Sequence, residues 1–286
     1  MKELKRIAVT GGSGKAGRAC IKDLLANGYH VLNIDSARPT EWLCPFISTQ
    51  LTDFGQTIDA LTGVDFGEPN IDAIVHLAAI PASRIEPNAV TFNNNIQSTY
   101  NVFEAARRLN IKNIVWASSE TVLGLPFDTP PPYVPVDEEY PGRPESAYSL
   151  TKLLGEEMAN QFCRWDSETK IIGLRFSNIM EPKDYEHFPH YDKDPGSRKW
   201  NLWGYIDARD AAQAVRKSLT AEISGAHVFI IANADTVLKR PNDELLKEYF
   251  PSTPRSKQIS ANETLLSIEK ARRILGYEPE FSWRKP

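Results

Sequence analysis

Cysteine is scarce in this chain. Cys20, Cys44 and Cys163 are odd in number and far apart. They fit neither a disulfide framework nor a zinc spacing, and read as reduced thiols of a cytosolic protein. No apolar run is long enough for a transmembrane span, and MKELKRIAVTGG passes into a strand too short for a signal-peptide core. Positive charge is not in excess: 33 Lys and Arg against 37 Asp and Glu leave a formal net charge of −4. That argues against broad nucleic-acid binding, which needs cations to neutralise phosphates. Repeats and low-complexity tracts are absent, and the proline run TPPPYVP (129–135) reads as a stiff loop. The triplet Asn262-Glu263-Thr264 matches a glycosylation acceptor but has no secretion signal to give it meaning.

What is present is ordinary for a globular enzyme: 286 residues, 41% hydrophobic and 24% charged. RIAVTG (6–11) predicts a buried strand, GRACIKDLLANG (17–28) a helix ending at glycine, YHVLNID (29–35) a second strand and residues 46–53 a weaker third. DAIVHLAA (72–79) is a clear fourth, followed by a helix over about 93–109, the strand NIVWASS (113–119), a helix opening near Tyr148 and the strand KIIGLRF (170–176). A late strand, AHVFIIAN (226–233), precedes helices near 242–249 and 267–275. The alternation implies βαβ units, hence an α/β fold with a Rossmann-type doubly wound parallel sheet.

VTGGSGKAGRA sets Gly11, Gly14 and Gly17 between the first strand and the first helix. A dinucleotide fingerprint requires that context: a tight turn, close backbone approach and a helix N-terminus facing a pyrophosphate. Asp35 ends the second strand, where a carboxylate accepts from adenosine ribose hydroxyls. Such a carboxylate repels a 2′-phosphate, so NAD is expected, while nearby Lys15, Arg18 and Arg38 keep NADP open.

In ESAYSLTKLLGEE (145–157), Tyr148 and Lys152 share one helical face, a spacing that any amphipathic helix also produces. Residues 178–204 have no sustained period and read as a loop-rich segment over a binding site. Its acids and histidines (Asp184, Glu186, His187, His190, Asp192) are broken by Pro189 and read as a substrate-loop cluster, so no metal is expected. Trp200 and Trp203 either stack on a ring or anchor the loop. Arg209 and Asp210 are expected to fix a helix start, an aspartate there capping the first turn.

Around the glycine loop, several stretches run in a familiar order: HLAA (76–79), NNIQSTYNVFEAA (94–106), SSETVLG (118–124), Tyr148-x-x-x-Lys152, LRFSNIMEP (174–182), YIDARDAA (205–212) and KARRILGYEP (270–279). Together they resemble the extended short-chain dehydrogenase/reductase family, which includes the NAD-dependent epimerases and dehydratases. The resemblance implies Tyr148 as general acid/base, Lys152 as its support and Ser119 as the hydroxyl that holds the reacting oxygen, with Ser118 and Thr121 as alternatives. Independently, a phenol with a pKa of about 10 needs positive charge nearby to act as a base near neutrality. The resemblance also implies Gly11, Gly14, Lys15, Ala16, Gly17 and Asp35 around the cofactor, Asp53 near its adenine, and Leu77, Ala78, Ala79 and Asn95 beside it. Asn178, Glu120, Thr121 and Arg175 would face substrate. A homodimer through the helices at 93–109 and 147–165 is implied as well.

Three departures bear on substrate. Glu120-Thr121 supplies one acid where dehydratases of this family carry two, which disfavours dehydration. Leu123 replaces a tyrosine, with no clear reading. Residues 179–204 are few for clasping a nucleotide-sugar. The expectation is therefore a dehydrogenase of a small non-nucleotide sugar or sugar acid, with some similarity to uronate dehydrogenases. Glu120 would repel a uronate unless protonated or turned away, so a neutral sugar suits the site better. The alternatives are a nucleotide-sugar epimerase like UDP-glucose 4-epimerase, or a non-catalytic NAD(P)-binding regulator, against which the intact Ser119, Tyr148 and Lys152 argue. A cofactor domain is expected over 1–177 and a mostly substrate-binding lobe over 178–286, with the strand near 226–233 returning to the sheet.

Overall fold

The computed structural model describes residues 5–64, 67 and 70–284. Seven parallel strands form one sheet in the order β3-β2-β1-β4-β5-β6-β9. They are β1 (Arg6–Thr10), β2 (His30–Asp35), β3 (Phe46–Ser48), β4 (Ala73–His76), β5 (Asn113–Ser119), β6 (Lys170–Phe176) and β9 (Gly225–Ile231). The order reverses between β1 and β4, and a doubly wound sheet opens its ligand crevice beyond the strand C-termini at such a point.

Successive residues of a strand point to opposite faces, and the two cores follow that alternation. Ile7, Val9, Val75, Val115 and Ile172 pack on one face with α1 (Lys15–Ala26) and α6 (Ala208–Thr220). Ala8, Ile74, Ile114, Trp116 and Ile171 pack on the other with α2 (Phe54–Thr62), α3 (Asn88–Arg108) and α4 (Ala147–Trp165). Strands covered on both sides read as continuous apolar runs, which is why they stand out in the sequence. The short helix α2, unannounced by a strong pattern, is bracketed by an N-cap at Asp53 and by Gly63 at φ 68°.

Residues 179–204 are more ordered than a loop. β7 (Ile179–Met180) pairs with β8 (Ile206–Asp207), and between them lie a 3-10 turn (Pro182–His187), α5 (Phe188–Lys193) and a second 3-10 turn (Pro195–Asn201). The helix runs through Pro189 because proline stands in its first turn, where no amide donor is needed. Phe188 and Trp203 are fully buried and anchor these turns, with Trp203 donating to the Pro195 carbonyl at 2.8 Å. α7 (Asn242–Tyr249) and α8 (Glu269–Leu275) complete the chain. The cap of α6 is Asp207, which accepts from the Arg209 amide, whereas Asp210 accepts from the amides of Glu280 and Phe281 and ties down the C-terminal segment. Among the described residues no helix is long and apolar enough to cross a membrane.

Candidate active site

A cleft of about 1460 Å³ opens along the C-terminal edge of the sheet. At one end lies the turn after β1. A Cβ on Gly11 would meet the Ala78 amide at 2.5 Å, and one on Gly17 would meet the Gly11 carbonyl at 2.2 Å. Only glycine allows this approach of turn, helix and β4. Gly14 is the N-cap of α1 and makes no side-chain cap, so the first-turn amides have no side-chain partner. Asp35 accepts from the amides of Ser13 at 3.0 Å and Ala37 at 3.1 Å and borders the same cleft. This cradle, with Leu77, Ala78 and Ala79 along its side, fits a dinucleotide: uncapped donors for a pyrophosphate and a carboxylate for a ribose. Lys15 and Ala16 also border it.

Two of the expected cofactor contacts lie elsewhere. Asp53 is exposed, caps α2 through the Gln56 amide, and is not part of the cleft wall; Thr49, Gln50 and Leu51 take that place. Asn95 is buried and pins the backbone of Ile80, accepting from its amide at 2.8 Å and donating to its carbonyl at 3.0 Å. Its neighbour Asn94 faces the cleft. One helical step separates the two, so sequence pattern could not set the register.

Ser119, Tyr148 and Lys152 all line this cleft. β5 ends at Ser119, and α4 begins behind a capping box in which Ser146 and Ser149 satisfy each other's amides. The i, i+4 spacing then turns Tyr148 and Lys152 to the same side. Lys152 donates to the Ala117 carbonyl at 2.7 Å, and its Nζ stands 5.6 Å from the centre of the Tyr148 ring. Burial pulls its pKa down to about 8. Burial pushes the Tyr148 phenol up to about 12, against a hydrogen bond with Ser119 that lowers it, while Glu120 raises it further. Thr121 donates to Ser119 Oγ through both its amide and its hydroxyl.

Glu120 borders the cleft yet is only 3% exposed. Its carboxyl is turned to Ser177 Oγ at 2.6 Å and Asn201 Nδ2 at 3.1 Å. Burial raises its pKa to about 7, opposed by those hydrogen bonds and by Arg198. Both conditions under which a carboxylate here escapes repelling an acid are thus partly met. Arg198 donates to Asn178 Oδ1 at 3.0 Å and to the Gly204 carbonyl, and lies over the rings of Tyr191 and Trp200. Ser177, Arg198 and Asn201 were not indicated by the sequence: their side-chain partners are 20 to 81 positions away, and only Ser177, beside Asn178 in LRFSN, had a neighbouring signal.

Arg175 is not a substrate contact. It is 4% exposed, absent from the cleft wall, and held by Glu156 at 2.8 and 2.9 Å. Trp200 borders the cleft and Trp203 does not, which separates two residues the sequence left equivalent. Beyond Asn178, only Ile179 and Trp200 among the described residues reach the cleft. Among the described residues no group of three or more His, Cys, Asp or Glu side chains is arranged to hold a metal ion.

Comparison with known proteins agrees with this geometry. The NAD dependent epimerase/dehydratase family matches residues 7–232. UDP-glucose 4-epimerase 2 of Arabidopsis thaliana is 31% identical over 216 residues, 71% of this chain and 59% of its own. The chain thus spans about 59% of the length of this relative. Among solved structures, UDP-glucose 4-epimerase of Thermotoga maritima with UDP-glucose superposes with a TM-score of 0.73 at 21% identity, covering 97% of this chain and 94% of that one. A mutated uronate dehydrogenase does so with 0.69 at 24%, covering 99% and 84%. These two likenesses establish the Rossmann-type α/β fold. With the glycine cradle, Asp35 and the family match in agreement, the chain belongs to the NAD dependent epimerase/dehydratase family, and its cofactor is NAD.

Proposed function

We propose that the chain is a sugar epimerase that oxidises a ring hydroxyl and re-reduces the resulting ketone on its other face. The observation that carries the hydroxyl-oxidising step is the meeting of Ser119, Tyr148 and Lys152 in one cleft with the glycine cradle. The similarity to UDP-glucose 4-epimerases, at 31% identity, supports a nucleotide-sugar as substrate. Ser119 holds the reacting oxygen, Tyr148 takes its proton, and Lys152 steadies the phenolate. NAD, when bound, supplies the hydride acceptor and a positive ring that favours the phenolate. Asn178, Thr121, Glu120 and Trp200 line the substrate side.

A second reading, a dehydrogenase of a small neutral sugar, is favoured by one specific observation. Only Ile179 and Trp200 from the region after Asn178 reach the cleft, so the 178–286 lobe offers few partners for a nucleotide. A dimer through α3 and α4 is supported by exposed apolar residues Tyr100, Leu150 and Leu154 on them, and light scattering in solution tests it. The deciding experiment incubates the protein with NAD and nucleotide-sugars, free sugars and uronates, following isomer formation and NADH absorbance together. Isomer without net NADH supports the epimerase; net NADH from a free sugar, with no isomer, replaces it by the dehydrogenase.

A further inference from the structure

The first turn of α1 is tied to the segment after β7 by two ion pairs. Lys15 Nζ lies 2.6 Å from Asp184 Oδ2 and 3.4 Å from the Ile179 carbonyl, and Arg18 NH2 lies 3.0 Å from Glu181 Oε1. Lys15 and Arg18 are three positions apart on one helical face. Glu181 and Asp184 are themselves joined, the Glu181 amide donating to Asp184 at 2.8 Å. The far end of this turn is held differently: the Tyr185 hydroxyl donates to Asp207, and its ring packs on Phe188 and Tyr205. Lys15 and Ile179 both border the cleft beside the glycine cradle. The turn is therefore a bridge, rooted in the core at one end and fastened by charge at the uncapped N-terminus of α1.

We propose that this double ion pair is a clasp that keeps the cofactor bound between oxidation and re-reduction, and so sets how often the reaction ends in an isomer rather than in free ketone and NADH. The proposal rests on the epimerase reading, because a dehydrogenase must release reduced cofactor in every turnover. The balance is simple: the carbon's hydride goes to NAD and the hydroxyl proton to Tyr148, and return of both leaves no net oxidation. Escape of NADH between the two steps leaves the sugar oxidised. The paired side chains are 21% to 37% exposed, so salt screens them in part. Lys183 also reaches Glu181, at 3.1 Å; Arg18 thus shares its partner, while Asp184 serves Lys15 alone among the ion pairs described here.

The test measures NADH release from the full chain by stopped-flow fluorescence, displacing it with excess NAD at low and high salt. Wild type is compared with Asp184→Asn and with Asp184→Asn/Glu181→Gln, and thermal unfolding confirms that the variants fold. Release from wild type should quicken with salt, a reading that needs no variant. The double variant should release NADH about three- to tenfold faster at low salt and lose most of that salt dependence. Equal release rates, with equal salt dependence, overturn the clasp whatever the substrate assays give. Faster release from the variant, with no isomer from any nucleotide-sugar, keeps the clasp and overturns its role in partitioning an epimerase.

Discussion

Glu156 on α4 and Arg175 on β6 form a bidentate ion pair with side chains 9% and 5% exposed. Ser118 donates to the same carboxylate at 2.6 Å, so one acid joins β5, α4 and β6 just below Ser119 and Lys152. A buried pair stripped of one partner leaves an uncompensated charge. Arg175→Leu should therefore destabilise the fold by about 3–5 kcal/mol, read by urea denaturation. A loss below about 1 kcal/mol would show that water or a neighbour already satisfies Glu156.

Tyr148→Phe removes the hydroxyl and little else. It should lower turnover by roughly 10²- to 10⁴-fold while NAD binding, measured by calorimetry, stays the same. Retained turnover would move the acid/base role to another group, with Glu120 the first to examine.

Glu120 should make stability depend on pH. Its folded pKa, about 7, lies above the ordinary 4.5, so the folded state holds the proton more tightly. The contribution is complete below the ordinary value and is lost as pH rises through about 7. Arg198, Ser177, Asn201, the Asn178 amide and Tyr148 are the groups around it. Thermal unfolding followed from acid to neutral pH should therefore fall less steeply for Glu120→Gln than for wild type. Identical slopes would mean that folding leaves the pKa of this carboxyl unchanged.

The two tryptophans of the 195–203 segment should separate by assay. Trp203→Ala empties a fully buried site and should cost about 3–5 kcal/mol. Trp200→Ala, at the half-buried cleft wall, should raise KM with stability altered by less than about 1 kcal/mol. A KM unchanged in Trp200→Ala would make that ring an anchor as well.

The sheet was legible because strands buried on both faces, such as Ile7–Val9 and Ala73–Val75, leave an apolar run that needs no tertiary knowledge to see. The helical spacing of Tyr148 and Lys152 was legible too, but only the order of the surrounding motifs singled that pair out from an ordinary amphipathic helix. The turns of 179–204 were not, since short helical pieces around Pro189 never repeat a period long enough to register.

The sequence by itself determined the parallel sheet and the glycine turn with Asp35 at a strand end, because each follows from a local pattern; Ser119, Tyr148 and Lys152 were singled out by the family resemblance, since they stand on two elements and no spacing joins the three. Only the tertiary structure decided that Asp53 caps a helix, that Asn94 rather than Asn95 faces the cleft, and that Arg175 is spent on Glu156. It alone brought Glu120 to Asn201 and Lys15 to Asp184. Those outcomes turn on pairings between residues far apart in the chain, for which desolvation requires a partner but no local pattern names one.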